Sequence, residues 1–112
     1  MFGFQRLDAY RASTEFLGLI SKLVTRIPKG HSDLVDQLRR AALSVPLNLA
    51  EGSGKFNRDA RRFYAIARGS ALECAAILDA LEAMAMFDDA ALRQERELLE
   101  RIVSMLTDLI RP

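Results

Sequence analysis

Residues 37–54 read QLRRAALSVPLNLAEGSG, a run in which leucine, alanine and valine recur every three or four positions around a central proline. That spacing belongs to a helix. With Leu34 one turn upstream, it lines up Leu38, Ala41, Ala42, Val45 and Leu49 on one side. Pro46 has no amide hydrogen and its ring crowds the carbonyl of Ala42, at a cost of about 3 kcal/mol in a helix interior. Ser44 and Asn48 flank it and are expected to hydrogen-bond the carbonyls left without a donor. After Glu51, Gly52 is expected to take the left-handed closing turn, with Ser53 and Gly54 continuing the break.

The same periodicity extends outward in both directions, and no segment alternates with period two over strand length. Four helices are therefore expected. The first starts at Asp8, a carboxylate able to cap free amides, and stops near Ile27, where Pro28, Lys29 and Gly30 follow. The second starts at Ser32 or Asp33 and ends near Glu51. The third is capped by Asn57 and runs to about Ala85; the fourth is capped by Asp88 and runs to about Ile110. Short connections make successive helices antiparallel neighbours, so the expected fold is all-α, a single domain over residues 1–112 forming an up-down-up-down four-helix bundle.

At 100° per residue the helices divide into two kinds. The first buries one stripe (Ala9, Ala12, Phe16, Leu19, Ile20, Leu23, Val24, Ile27) and is polar opposite; the fourth does the same with Leu92, Leu99, Ile102, Val103, Leu106 and Ile110. The third has a core stripe of Phe63, Ile66, Ala67, Ser70, Cys74, Ile77, Leu78, Leu81 and Met84. Its opposite side carries Ala65, Gly69, Leu72, Ala76, Ala80 and Ala83, apolar and mostly small. The second helix likewise shows Leu43, Leu47 and Ala50 on its outer side. A lone bundle buries one broad stripe per helix, so these outer faces call for a partner, and another copy of the chain is the expected one. The competing reading, that alanine merely favours helix, suits Ala76, Ala80 and Ala83 better than Leu43, Leu47 and Leu72.

No arrangement of nucleophile, base and orienting group names a reaction, so a non-enzymatic protein without cofactor or metal is expected. His31 follows Gly30 in a turn and reads as a solvated loop residue. No Glu-x-x-His pair projects from a helix as bundle metal sites require. Cys74 falls in a core stripe, where a thiol is inert packing, and it has no partner for an intrachain disulfide. Glu51 and Glu73, an acid and base pair in principle, read better as partners of Arg39, Arg40 or Arg62, or as a helix-end charge. The longest uninterrupted apolar runs, Cys74–Leu78 and Ala83–Phe87, fall far short of the ~20 residues a bilayer span needs. With no secretory leader in MFGFQRLD, a reducing cytoplasm is the expected location.

Charge is near balance overall but unevenly placed. Residues 29–68 hold eight Lys or Arg against four acids, a balance of +4, while residues 69–112 hold four against nine, a balance of −5. The middle of the chain is thus the anion-binding candidate, unless its charges only solvate helix faces. Residues 52–69, GSGKFNRDARRFYAIARG, set a lysine and four arginines around a helix start with Phe56, Phe63 and Tyr64 between them. Free amides at a helix start favour anions, and nearby cations strengthen a phosphate contact. GSGK lacks the spacing of a nucleotide phosphate loop. The candidate phosphate contacts are Arg39, Arg40, Lys55, Arg58, Arg61, Arg62 and Arg68, and the candidate partner is RNA or DNA, with another protein as the alternative.

At these residues the chain resembles a known family. QLRRAALSVPLNLAEGSGK, followed by RDARRFYAIARGSALE and preceded by FQRLDAYRAS, is similar to the proteins encoded within intervening sequences of bacterial 23S ribosomal RNA. The likeness is densest from Gln37 to Glu73, at Ser44, Asn48, Ala50, Glu51, Gly52, Ala67, Gly69, Ser70 and Glu73. It implies a cytosolic four-helix bundle that assembles as a ring of five and has no enzymatic activity. The chain is similar also to the accessory protein of diversity-generating retroelements, a likeness that implies a pentameric bundle associated with nucleic acid and reverse transcriptase.

Overall fold

Helix periodicity carries through to the tertiary structure. The computed structural model describes residues 2–111. Its four helices are α1 (Asp8–Leu23), α2 (Ser32–Ser53), α3 (Asn57–Ala83) and α4 (Asp89–Ile110), with short 3-10 turns at Gly3–Arg6 and Val24–Arg26 and no strand among the described residues. They form an all-α four-helix bundle of 43 × 21 × 20 Å, its long dimension close to the ~40 Å of a helix the length of α3. Each helix packs on its two neighbours, α1 on α2 and α4, α3 on α2 and α4. The contacts Ser44–Ser70 and Gly52–Tyr64 make α2 and α3 antiparallel; Arg68–Thr107 and Arg96–Asp79 do the same for α3 and α4.

Phe16 and Ile20 of α1, Leu38, Val45 and Leu49 of α2, Leu78 and Leu81 of α3, and Leu92, Ile102 and Leu106 of α4 are fully buried. Such side chains contribute about 1.5–3 kcal/mol each on leaving water. The expected stripes of α1 and α4 are thus the observed ones, with Leu19, Val103 and Ile110 half-buried at their edges. The stripe of α3 is narrower than expected. Ile66 and Met84 are exposed and Phe63 is half-buried, while Ala71, outside the expected stripe, is fully buried. α3 is turned so that small residues face the core at its centre, which brings α2 and α3 close. Glu95 is also buried on α4, and its Oε2 meets no hydrogen-bond partner among the described residues.

Gly52 explains that closeness and corrects its expected role. α2 continues through it to Ser53, and the only glycine with a left-handed backbone is Gly30 (φ 97°). Gly52 is buried, and a Cβ there would lie 2.7 Å from Tyr64 Cε1 and 3.1 Å from Phe63 Cβ. It is a contact glycine, needed for approach and not for a turn. Pro46 sits inside α2 and is buried. Asn48 Nδ2 donates to the carbonyl of Ser44 and to its Oγ, both at 2.9 Å, and Ser44 Oγ meets Ser70 Oγ of α3 at 2.7 Å. The polar pair around the proline therefore ties α2 to α3 and leaves Ala42's carbonyl to other means.

Helix ends were partly as expected. Asp88 caps α4 by accepting from the Ala91 amide at 2.8 Å. Asp8 instead lies inside α1, after Leu7 at the cap position, and its carboxylate pairs with Arg11. Asn57 does not cap α3: Phe56 holds the cap position with no side-chain bond to the helix, and Asn57 takes a left-handed φ of 49°. α1 ends four residues early, tightening into the 3-10 turn from Val24. α3 ends at Ala83 in a Schellman turn, with the Met86 amide on Leu81's carbonyl (3.0 Å), the Ala85 amide on Glu82's (2.9 Å), and Ala85 at φ 60°.

Candidate nucleic-acid interface

The turn from α2 into α3 gathers cations at one end of the bundle. Lys55 lies in the turn, and Arg58, Arg61 and Arg62 lie on the first two turns of α3. Phe63 is the hub of this group. Arg62 stacks its guanidinium 5.0 Å from the ring centre, and Lys55 Nζ sits 5.9 Å from it. An aromatic face holds cations in this way through its quadrupole, so the half-buried ring fixes two positive groups that would otherwise sweep freely. Phe56 stands at the cap position of α3 with 85% of its surface exposed. Because no side chain caps α3, the first amides of its N-terminus remain open to an anion, unlike those of α4. Cations, uncapped amides and an exposed ring at one end are the elements of a surface for phosphates with an adjacent unstacked base.

The outer faces of α2 and α3 are exposed as the periodicity predicts, except that Ala50 of α2 is half-buried. Leu43 and Leu47 are 45% and 59% exposed, and Leu72 is 45% exposed. Ala65, Gly69, Ala76 and Ala83 are exposed too, while Ala80 is half-buried. A Cβ on Gly69 would meet nothing within 4 Å. Leu43, Leu47 and Leu72 thus stand in water on these two faces.

The sequence model of the 23S rRNA-intervening sequence protein family matches residues 5–108, nearly the whole chain. The chain belongs to that family. No curated protein matches it. In this 23S rRNA-intervening sequence protein the seven candidate cations do not form one patch. Arg39 and Arg40 are exposed in the first half of α2, roughly 22 Å from Lys55 at ~1.5 Å per residue. Arg68 is half-buried and turned to α4, where its Nε donates to Thr107 Oγ1 at 2.9 Å. Lys55 and Arg62 meet on Phe63, and Arg58 and Arg61 lie on the same first two turns of α3.

Other candidates fall as follows. His31 occupies the cap position of α2, half-buried, its carbonyl accepting from the Val35 amide, and is less solvated than expected. Glu51 and Glu73 are exposed and make no ion pair with Arg39, Arg40 or Arg62 among the described residues. Cys74 is buried, and burial, reinforced by the negative Glu73, pushes its thiol up to about 12, far from a thiolate nucleophile. No group of ligating side chains suited to a metal occurs among the described residues, and no helix is long and apolar enough to cross a membrane. The role of Phe63 was not legible. It lies at the edge of the core stripe, and the only signal was its place between Lys55 and Arg62.

Proposed function

We propose that this 23S rRNA-intervening sequence protein is a non-enzymatic homo-oligomer, a ring of five in the cytoplasm, that binds structured RNA through the basic end formed by Lys55, Arg58, Arg61 and Arg62. The observation that carries the reading is the Phe63 ring with Lys55 and Arg62 held on it beside the uncapped start of α3. Family membership supports an RNA-related role. The acidic balance of residues 69–112 keeps the phosphate surface to one end. Exposed Leu43, Leu47 and Leu72 support self-association.

Four phosphate contacts lower log K by about 3 per tenfold rise in salt, so affinity for a structured RNA falls roughly 50- to 100-fold between 50 and 200 mM salt. Charge reversal of Arg58 and Arg61 together weakens binding and flattens that slope by about 2. Electrophoretic mobility or anisotropy titrations at several salt concentrations measure both. Absence of RNA or DNA binding at low salt overturns the phosphate reading and favours an oligomeric scaffold for a protein partner, which the same exposed leucines would serve. For self-association, Gly69→Leu or Ala76→Arg breaks the assembly while the bundle stays folded, since both positions point away from the core. Light scattering on a sizing column with circular dichroism reads both properties.

A further inference from the structure

Among the aromatic rings of the chain, Phe56 is the one the fold leaves unused. Phe16 and Phe87 are buried, and Arg26 lies 5.1 Å over the Phe87 ring. Phe2 stacks on Phe4 at 5.9 Å, and Phe4 meets Tyr10 edge-on at 5.0 Å. Phe63 carries Lys55 and Arg62, and Tyr64 is half-buried against Gly52. Phe56 is 85% exposed, and neither a ring nor a cation lies on it among the described residues. Its backbone is extended, with φ −119° and ψ 145°, a conformation that sets successive side chains on opposite sides. In keeping with that, Lys55 turns in to the Phe63 ring while Phe56 stands out in solvent.

Charge around this ring is positive once its acids are counted. Residues 51–62 hold Lys55, Arg58, Arg61 and Arg62 against Glu51 and Asp59, a balance of +2. None of these four cations is in an ion pair among the described residues. On the neighbouring helix ends Asp8 and Asp108 are already held by Arg11 and Arg111. We infer that Phe56 is a stacking platform for an unpaired base, so that the basic end takes RNA at a bulge, a loop or a single-stranded end and not along a uniform duplex. The inference rests on the phosphate reading above and names which RNA that site selects. A flat ring standing free beside cations matches the two halves of a nucleotide, the base face and the phosphate. Within a duplex the faces of each base are covered by its neighbours, whereas a base splayed out of the helix offers its face to an aromatic side chain. Every base has such a face, so the selection is for unpaired nucleotides and not for one sequence. Phe63 cannot take this part, because its ring is half-buried and carries Lys55 and Arg62.

The test uses the full-length chain and two RNA duplexes of the same stem, one fully paired and one with a bulged adenosine. Phe56→Ala lowers affinity for the bulged RNA by about 5- to 150-fold, the worth of one base on an aromatic face. It leaves the paired RNA and the salt slope unchanged, because no charge is removed. Phe56→Leu, apolar but without a flat face, loses as much, and Phe56→Trp keeps the preference. The chain has no tryptophan, so indole emission from Phe56→Trp reports this position alone; the bulged RNA quenches it and the paired RNA does not. Circular dichroism melts and light scattering check that each variant keeps its fold and assembly mass. A wild type that binds both RNAs equally, a leucine variant as good as phenylalanine, or an indole that the bulged RNA does not quench overturns the stacking role while the phosphate reading stands. A change of assembly mass in Phe56→Ala gives the ring to a subunit contact and overturns the stacking role as well. A wild type that binds neither RNA at low salt overturns both readings.

Discussion

Gly52→Ala tests how α2 and α3 approach one another. In an open helix interior this change stabilises by about 1 kcal/mol through backbone entropy and propensity. Here the new methyl would sit 2.7 Å from Tyr64 Cε1, 3.0 Å from Tyr64 Cδ1 and 3.1 Å from Phe63 Cβ. The Tyr64 ring has some freedom because it is half-buried, but Phe63 Cβ moves only with the backbone of α3. Overpacking of this kind costs about 1–3 kcal/mol, and the two helices have to part or Tyr64 has to leave its rotamer. Net of the propensity gain, Gly52→Ala destabilises by up to about 2 kcal/mol. For a chain of this length that lowers Tm by up to about 8 °C. Thermal melts at fixed protein concentration measure it, with Gly18→Ala as control: Gly18 is exposed on α1 with nothing near its absent Cβ, and the same substitution there raises Tm. In a Tyr64→Ala background most of the Gly52→Ala penalty should vanish, as contact between the two sites requires. A rise in Tm for Gly52→Ala, or an unchanged penalty once Tyr64 is truncated, refutes the close-approach account.

Ala85 closes α3 at φ 60°, where an L residue costs about 1 kcal/mol, so Ala85→Gly stabilises by about 0.5–1 kcal/mol in denaturant titrations, less glycine's greater freedom in the unfolded chain. Leu81 is fully buried, and Leu81→Asp puts an unpaired charge into the interior, so helical circular dichroism is lost at 25 °C. With the Cys74 thiol raised to about 12 in the fold, the unfolded chain releases its proton first. Stability is unaffected below pH ~8.5 and falls between there and pH 12 with a limiting slope of about 1.4 kcal/mol per pH unit. Cys74→Ala removes that contribution, which parallel denaturant titrations at pH 7 and pH 10 detect as a smaller difference between the two; equal differences in both proteins would count against it.

Four helices, their order and most of their inward stripes were decided by the sequence alone, because a helix is a local object. Spacing of three and four residues fixes which side chains share a face, and a carboxylate such as Asp88 reaches amides within its own first turn. The exposed Leu43, Leu47 and Leu72 were legible for the same reason. Tertiary structure decided what depends on the rotation and approach of one helix against another. Gly52 has the local sequence of a turn residue, and only its approach to Tyr64 makes it a contact glycine. Asn57 has the chemistry of a cap, but the α2–α3 turn gives that position to Phe56. Phe63, Ile66 and Met84 lie at the edge of a stripe, where a small rotation of α3 separates core from solvent, and that rotation follows from the Ser44–Ser70 contact and the small residues beneath it. The division of the basic residues has the same origin. Sequence places Arg39, Arg40, Lys55, Arg58, Arg61, Arg62 and Arg68 within thirty positions of one another, but the folded chain keeps Arg39 and Arg40 in the first half of α2, brings Lys55 and Arg62 together on the Phe63 ring at the turn into α3, and turns Arg68 toward α4.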